Sequence, residues 1–404
     1  MKRKYDIIVV GAGINGQVMS IAAALQGFSV ALIDQKKIVE DTLQKFDGRA
    51  YAIAFSSVQM LKNLDLWNKI SETTQPVLNI KVSHGTLEDG PSSSSITFKN
   101  SDIEESPMAQ MVEDRYLRHS LNSEIKKNNH IDIIEQKIVQ QVIDYDNKKQ
   151  LILNDGSKIL TSLLVASDGR KSPITKAMGI KKMGWEYKQS GLVCAVQHEY
   201  CSNNTAFQYF LPEGPLAILP LQNNIASIVW TENIQNTSII ANMNNNEYLE
   251  ALHKRFGNFL GQLKLTGKRF SFPLSLSIAE KYVTKNFAVI GDAAHGYHPI
   301  AGQGLNAGLR DIAALVDVIT FARDRGEDFS SLNVLNKYQE WRRFDNQTLG
   351  FATDNFNKMF SSYNPLLRSV RNFGMKIIDK SGYGKKAFMK QAAGLNGDLP
   401  TLML

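Results

Sequence analysis

The segment Gly11-Ala12-Gly13-Ile14-Asn15-Gly16 constrains this chain more than any other. An apolar run, Tyr5 to Val10, precedes it; small apolar residues from Val18 to Leu25 follow; a second apolar run, Val30 to Ile33, ends at Asp34. This order reads as strand, turn, helix, strand. Gly11 permits the tight turn, Gly13 lets a phosphate approach the backbone, and Gly16 lets helix and strand pack closely, so a pyrophosphate can sit on the helix N-terminus. Asp34 stands where an acid accepts hydrogen bonds from adenosine ribose hydroxyls. Alone, the turn suits NAD as well as any other dinucleotide.

A second glycine-rich stretch narrows the choice. Phe287 to Ile290 reads as a strand, followed by Gly291-Asp292-Ala293-Ala294-His295; then Pro299-Ile300-Ala301-Gly302-Gln303-Gly304-Leu305-Asn306-Ala307-Gly308 leads into helix spacing from Leu309 to Ala322. Asp292 can reach a ribityl or phosphate-linked hydroxyl, and amides near Gly304 to Asn306 can face an electron-rich ring edge. One nucleotide turn and one ring turn imply one long cofactor, FAD.

Between these segments, Asp155-Gly156 marks a hairpin, and the strand-like run Leu163 to Ala166 closes at Ser167-Asp168-Gly169. From about Gly184 to Leu276 the runs Leu192–Val196, Ala206–Leu211, Ile225–Trp230 and Arg269–Leu274 predict a second, largely antiparallel sheet, interrupted by one helix between Asn246 and Leu260. Ser92 to Ser95 reads as a loop tip. A length of 404 residues exceeds what one core supports. The expected fold is therefore α/β: a Rossmann-like FAD-binding domain over 1–75, 106–183 and 277–325, an inserted substrate-binding β-sheet domain over 76–105 and 184–276, and a C-terminal helical region over 326–404.

Composition removes several functional classes. With 43% hydrophobic and 21% charged residues the chain is neither disordered nor membrane-spanning, and no stretch approaches the roughly 18 uncharged apolar residues of a transmembrane helix. Cys194 and Cys201 are too few for a disulfide framework or a metal cluster, which suits a reducing cytoplasm. The net charge of +7 gathers near the C-terminus, where Lys358, Arg368, Arg371, Lys376, Lys380, Lys385, Lys386 and Lys390 face Asp379 alone. No recognition helix or aromatic-basic platform accompanies it, so nucleic acid is not the expected partner. His295 and His298 lie among glycine and proline with no third ligand nearby, which argues against a metal site; His295 reads as an anchor of its loop. No Ser-His-Asp arrangement is visible, and no catalytic residue is assigned.

Together with the two glycine-rich turns and Ser167-Asp168-Gly169, the motifs Asp47-Gly48-Arg49-Ala50, His298 to Gly304, Gly308-Leu309-Arg310-Asp311 and the terminal Gly394 to Leu402 resemble those of class A flavoprotein monooxygenases. Their fold is that of p-hydroxybenzoate hydroxylase, and the ubiquinone-biosynthesis hydroxylases are the branch this chain looks most like, over nearly its whole length. The resemblance implies that Gly11, Gly13, Gly16 and Asp34 hold the ADP moiety and that Arg49 and Arg115 lie beside the pyrophosphate or ribityl chain. It also implies that Asp292 holds the ribityl-phosphate linkage, that Pro299 shapes the reaction face, and that Gly302, Gln303, Gly304, Leu305 and Asn306 line the isoalloxazine. Asp168 matches a fingerprint associated with both FAD and the nicotinamide donor, although Ser167 and Lys176 depart from its common form. From the residues alone, Arg49 also reads as a surface salt-bridge partner and Arg115 as part of a solvated helix face.

The implied reaction takes NAD(P)H as electron donor and O2 as co-substrate, activates oxygen at the flavin C4a position, and hydroxylates a polyprenylated phenol or benzoquinol. The implied setting is the cytoplasm, at the inner face of the cytoplasmic membrane, with a ubiquinone-biosynthesis complex as a further partner. Phe360, Tyr363, Leu366, Leu367, Val370, Phe373, Met375, Ile377 and Ile378 interleave with the C-terminal bases, a pattern shared by an interfacial helix and by a helix packed on the FAD domain with its bases in water. Two other functions fit the same FAD motifs: a flavin hydroxylase of a different aromatic compound, and a non-catalytic flavoprotein scaffold of a quinone-synthesis complex.

Overall fold

Ile7, Ile8 and Val9 are fully buried although consecutive side chains on a strand point to opposite faces, so the first strand is covered on both sides, as in a parallel sheet. The computed structural model describes residues 3–38, 43, 46–86, 90–103, 107–298, 302–360 and 382–404. The elements that build the site run in chain order β1 (Arg3–Val10), α1 (Ile14–Leu25), β2 (Val30–Ile33), β3 (Ile131–Ile134), β4 (Lys158–Ala166), β5 (Lys182–His198), β6 (Leu263–Ala279), β7 (Phe287–Val289), α2 (Gln303–Asp324) and α3 (Leu332–Phe360).

Five of these strands form a parallel core in the order β7-β4-β1-β2-β3. The expected hairpin is present: Lys148–Leu153 pairs antiparallel with β4. Val10, Ile33, Ala166 and Val289 end their strands at one level, because Val10 pairs with both Ile33 and Ala166, and Ala166 with Val289. The chain leaves β1 toward β2 on one side while β4 lies on the other, so this common edge is a topological switch point, where open α/β sheets bind ligands. α1 is rich in small side chains, with Val18, Ile21, Ala22 and Ala23 fully buried, which lets it lie close to the sheet.

The second sheet has the order His295–Gly296, β6, β5, Ile225–Asn233, Gly214–Leu221, Thr205–Leu211, Asn79–Thr86, Gly90–Lys99. It is antiparallel except between Thr205–Leu211 and Asn79–Thr86. Its own core gathers around Trp230, Tyr248 and Phe256. Two expectations are corrected here. Ser92 to Ser95 are not a loop tip: they lie within Gly90–Lys99, the outermost strand, where a polar run and a proline are tolerated. The sheet is interrupted by two helices, Ile234–Asn242 and Asn245–Phe256. The first buries only Thr237 and Ile240, so its sequence lacks a strong apolar stripe; Asn233 and Asn244 cap the two starts.

The terminal motif is bound to the first unit. The Arg310 guanidinium donates to the carbonyls of Asn396 and Asp398 (2.6 and 3.1 Å), Trp341 Nε1 donates to Asp398 O (3.2 Å), and the Thr401 amide donates to Asp317 (2.7 Å). Helix Gly382–Ala392 buries Met389 and stacks Phe388 on Phe98 with centroids 4.6 Å apart. The interleaved aliphatic and aromatic residues from Tyr363 to Ile378, and the side chain of Phe360, lie outside the described residues. Among the described residues, no helix is long and apolar enough to cross a membrane.

Candidate cofactor and ring-binding site

The glycines of the first turn have separate causes. Gly11 has φ +104°, and a Cβ there would lie 2.5 Å from the Ser167 carbonyl oxygen and 2.8 Å from Asp168 Cα. The first turn is thus pressed directly onto the Ser167-Asp168-Gly169 segment. A Cβ on Gly16 would sit 1.8 Å from Gly11 O, so the helix can start where it does only without a side chain. Gly13 differs, since the position of its absent Cβ meets no atom of the described residues within 4 Å. The packing around it does not require that glycine. α1 has no side-chain cap at Gly13 and no acid in its first turn, which leaves its terminal amides available to an anion. Asp34 accepts from the Ala12 and Lys36 amides (2.6 and 2.7 Å), which fixes its carboxylate at the end of β2.

The side chain of Asn15 packs the first glycine-rich stretch against the second. Asn15 Nδ2 would lie 2.1 Å from a Cβ on Gly291 and 2.5 Å from one on Gly308. Sequence reading gave Asn15 no role. α2 begins at Gly302, with φ +62°, again with no side-chain cap and no acid in the first turn. Among the described residues nothing lies within 4 Å of a Cβ on Gly304, and Gln303, Gly304 and Leu305 are half-buried. Asn306 uses its side chain within the protein: it accepts from the Ala54 amide (2.8 Å) and donates to Ala52 O (2.9 Å), pinning α2 to strand Ala50–Ala54. Pro299 lies outside the described residues. Asp292 is exposed and 3.6 Å from Arg170, while Asp168 Oδ1 is buried with no hydrogen-bond partner among the described residues. Burial pushes the Asp168 carboxyl above its ordinary range.

Beneath this loop lies a buried ionic network. Asp311 of α2 accepts from the Gly291 amide (3.1 Å), pairs with His295 Nε2 (2.6 Å), and accepts from Arg342 Nε (2.9 Å) and Asn346 Nδ2 (3.0 Å) of α3. His295 is therefore the loop anchor that the sequence suggested. Burial alone would raise the Asp311 carboxyl, but His295 and Arg342 outweigh it and hold it at about 2. Among the described residues, no group of His, Cys, Asp and Glu is arranged to hold a metal ion, and Cys194 and Cys201 are free thiols.

Both arginines near the expected pyrophosphate already face carboxylates. Arg49 pairs with Asp47 (2.7 Å) and Asp114 (3.1 Å), and Arg115 pairs with Glu113 (2.7 Å) and lies 4.6 Å from the Tyr116 ring centroid. Asp114 also accepts from Tyr51 and Arg118. The side chain of Arg49 remains 43% exposed, which leaves it accessible to an anion.

FAD fits this set of groups. Two helix N-termini without side-chain caps sit at the sheet's switch point, joined by Asn15; among the described residues, open space lies over one glycine of each turn and an unpartnered buried carboxylate oxygen stands beside the first. A diphosphate suits one terminus and an electron-rich ring edge the other. A sequence profile described as the FAD binding domain matches residues 4–343. The ubiquinone hydroxylase UbiL of Rhodospirillum rubrum is 32% identical over 401 residues, 98% of this chain and 92% of that protein. The 3-demethoxyubiquinol 3-hydroxylase of Escherichia coli is 31% identical over 394 residues, 96% of this chain and 98% of that one. The crystal structure of p-nitrophenol 4-monooxygenase PnpA from Pseudomonas putida has a TM-score of 0.80 at 16% identity, covering 98% of this chain and 99% of that chain, a likeness of fold. The chain belongs to this FAD-binding family, in the branch of class A flavoprotein monooxygenases formed by the ubiquinone-biosynthesis hydroxylases.

Proposed function

We propose that this protein is an FAD-dependent monooxygenase that hydroxylates the ring of a polyprenylated phenol or benzoquinol in ubiquinone biosynthesis, using NAD(P)H and O2. The observation that carries this reading is the contact of the two glycine-rich turns through Asn15, which lets one cofactor run from a dinucleotide turn to a ring-binding helix start. The names and near-complete coverage of the two relatives support the substrate class. In this reading residues 1–75, 106–183 and 277–325 bind FAD, and 76–105 with 184–276 form the substrate domain. Gly11, Gly13, Gly16 and Asp34 hold the ADP half, and Arg49 and Arg115 flank the diphosphate. Asp168 and Asp292 serve the ribityl region, Pro299 shapes the reaction face, and Gly302 to Asn306 line the ring.

Bound FAD supplies the redox and oxygen chemistry. The chain's share is placement and electrostatics: the α2 N-terminus, which has no side-chain cap, would stabilise charge at the edge of a bound ring, and the buried Asp311 network holds the Gly291 loop in place. Purified, FAD-loaded protein is expected to oxidise NAD(P)H, consume O2 and hydroxylate a short-chain prenyl phenol, measured by oxygen electrode and product mass. Protein that retains FAD but consumes neither would sink the hydroxylase reading and leave the scaffold function.

A prenyl tail partitions into lipid, so the reading places the enzyme at the cytoplasmic face of the membrane or in a biosynthetic complex. The interleaved bases and apolar residues from Asn357 to Ala392 support a peripheral contact. In flotation with vesicles containing anionic lipid, replacing Arg368, Arg371, Lys376 and Lys380 by glutamine is expected to lower binding by roughly 10-fold or more, from about 1 kcal/mol per base near the surface. Equal flotation refutes the contact.

A further inference from the structure

A second set of buried polar groups lies where three elements meet. His298 is 1% exposed, and neither ring nitrogen has a hydrogen-bond partner among the described residues. Tyr187 of β5 stands edge-on to it, with ring centroids 5.1 Å apart at 79°, and its buried hydroxyl is also unpartnered there. Asp354 of α3 is buried; its Oδ2 pairs with Lys358 (2.8 Å), while Oδ1 has no partner among the described residues. Asp354 is close enough to act electrostatically on both Tyr187 and His298. Unpaired buried polar atoms are rare and costly in native proteins, and two such nitrogens on one ring, with the Tyr187 hydroxyl beside them, mark a place for a polar ligand.

The backbone is bent to produce this arrangement. β5 pairs with β6 regularly from Lys182 to Glu186, loses register, and resumes at Ser190, with Lys188 at φ +55°. Such bulges re-aim side chains and are frequent beside active sites. Met183, Trp185 and Tyr187 share one face of β5 by strand alternation. Met183 and Trp185 are 49% and 42% exposed, and Lys358 covers the Trp185 ring at 4.9 Å. An apolar strip therefore leads from solvent toward the polar cluster, and His298 belongs to the stretch between Asp292 and the start of α2.

We propose that Tyr187, His298 and Asp354 form the receptor for the ring hydroxyl of the aromatic substrate, whose apolar tail leaves along Trp185 and Met183. The proposal rests on the hydroxylase reading above. Burial holds His298 at about 4 against the opposing pull of Asp354, so at neutral pH its imidazole offers one acceptor and one donor nitrogen. The substrate hydroxyl donates to the acceptor nitrogen and accepts from the Tyr187 hydroxyl. Asp354 acts on both groups through its charge. No proton changes owner in this step.

The test is an equilibrium titration of the FAD-loaded protein with a short-chain prenyl phenol and, separately, with its O-methyl ether, followed by flavin absorbance. The native protein is expected to favour the phenol by about 10-fold or more. In His298→Leu the phenol affinity falls roughly 10- to 100-fold while that of the ether changes by less than about threefold, and His298→Asn recovers part of the preference. Tyr187→Phe, which removes one oxygen, carries the same test if His298→Leu does not fold with its flavin. A packing role would lower both affinities together. Variants that hydroxylate and keep the native phenol-to-ether ratio overturn the receptor alone, whereas native protein that binds neither compound and oxidises no NAD(P)H overturns the hydroxylase reading with it.

Discussion

Asp311→Ala is expected to cost about 3–5 kcal/mol of stability and to yield protein that purifies with little or no FAD, because the change removes one partner of a buried ion pair. Asp311 and Arg342 are 0% and 2% exposed, and after the substitution Arg342 keeps Asp345 and Asn346 but loses its fully buried counter-ion. The Gly291 amide and His295 Nε2 lose their acceptor in the same step. Against a typical total of about 5–15 kcal/mol, a loss of this size leaves the native state marginal. Urea unfolding followed by circular dichroism, together with flavin content, measures it; a variant with full FAD and a native unfolding midpoint contradicts the account. Adding Arg342→Leu should restore part of the loss by removing the stranded charge. The pH dependence has a definite sign. The folded carboxyl lies at about 2, below its ordinary 3.8, so the pair's contribution is complete above the ordinary value and is lost as pH falls through about 2.

The glycines of the first turn provide the second large effect, with opposite consequences at neighbouring positions. Gly16→Ala places a methyl group 1.8 Å from Gly11 O, so α1 must move off the sheet, and the expected product is insoluble or unfolded chain. Gly13→Ala adds the same methyl group where no atom of the described residues lies within 4 Å, at a φ of −67° that alanine adopts freely. That variant is expected to fold with its unfolding temperature in the absence of flavin nearly unchanged, yet to bind FAD on the order of 100-fold more weakly. One or two charge-assisted bonds to the diphosphate, each worth roughly 1.5–3 kcal/mol, would be lost or lengthened. Fluorescence titration of flavin-stripped protein decides the matter: native FAD affinity in Gly13→Ala would mean that the open space above this glycine is not where the diphosphate lies.

Part of this site was legible in the sequence because short motifs carry it. The glycine spacing from Gly11 to Gly16, the acid at Asp34 and His295 in its glycine-rich loop can each be read from the residues around them, although their partners Ser167, Ala12 and Asp311 lie well beyond those neighbours in sequence. The pairing of β1 with β2 follows from the same strand-turn-helix rhythm, whereas the places of β3, β4 and β7 beside them come from the fold. Tyr187, His298 and Asp354 come from three elements, and nothing local at Tyr187 or Asp354 marks either residue; only the break in the β5 register and the packing of α3 bring them together. Asn15 was hidden differently, inside a motif whose glycines drew the attention, although its side chain joins the two turns. The strand through Ser92 to Ser95 was misread because an outermost strand needs no alternating apolar face.

That Asn15 contact also has a consequence in time. The side chain that joins the two turns lies near the start of the chain, whereas Gly291 and Gly308, the backbone it rests against, are synthesised far later, and β1 lies beside β4 rather than β2 alone. A ribosome that has delivered the first strand, turn and helix has therefore delivered a cradle with one wall missing. Contacts of such long sequence separation form slowly and leave apolar strands uncovered meanwhile. Flavin capture is accordingly a late event in the life of the nascent chain, following release of β7 and α2, and a supply of free FAD at that moment favours the folded product by mass action.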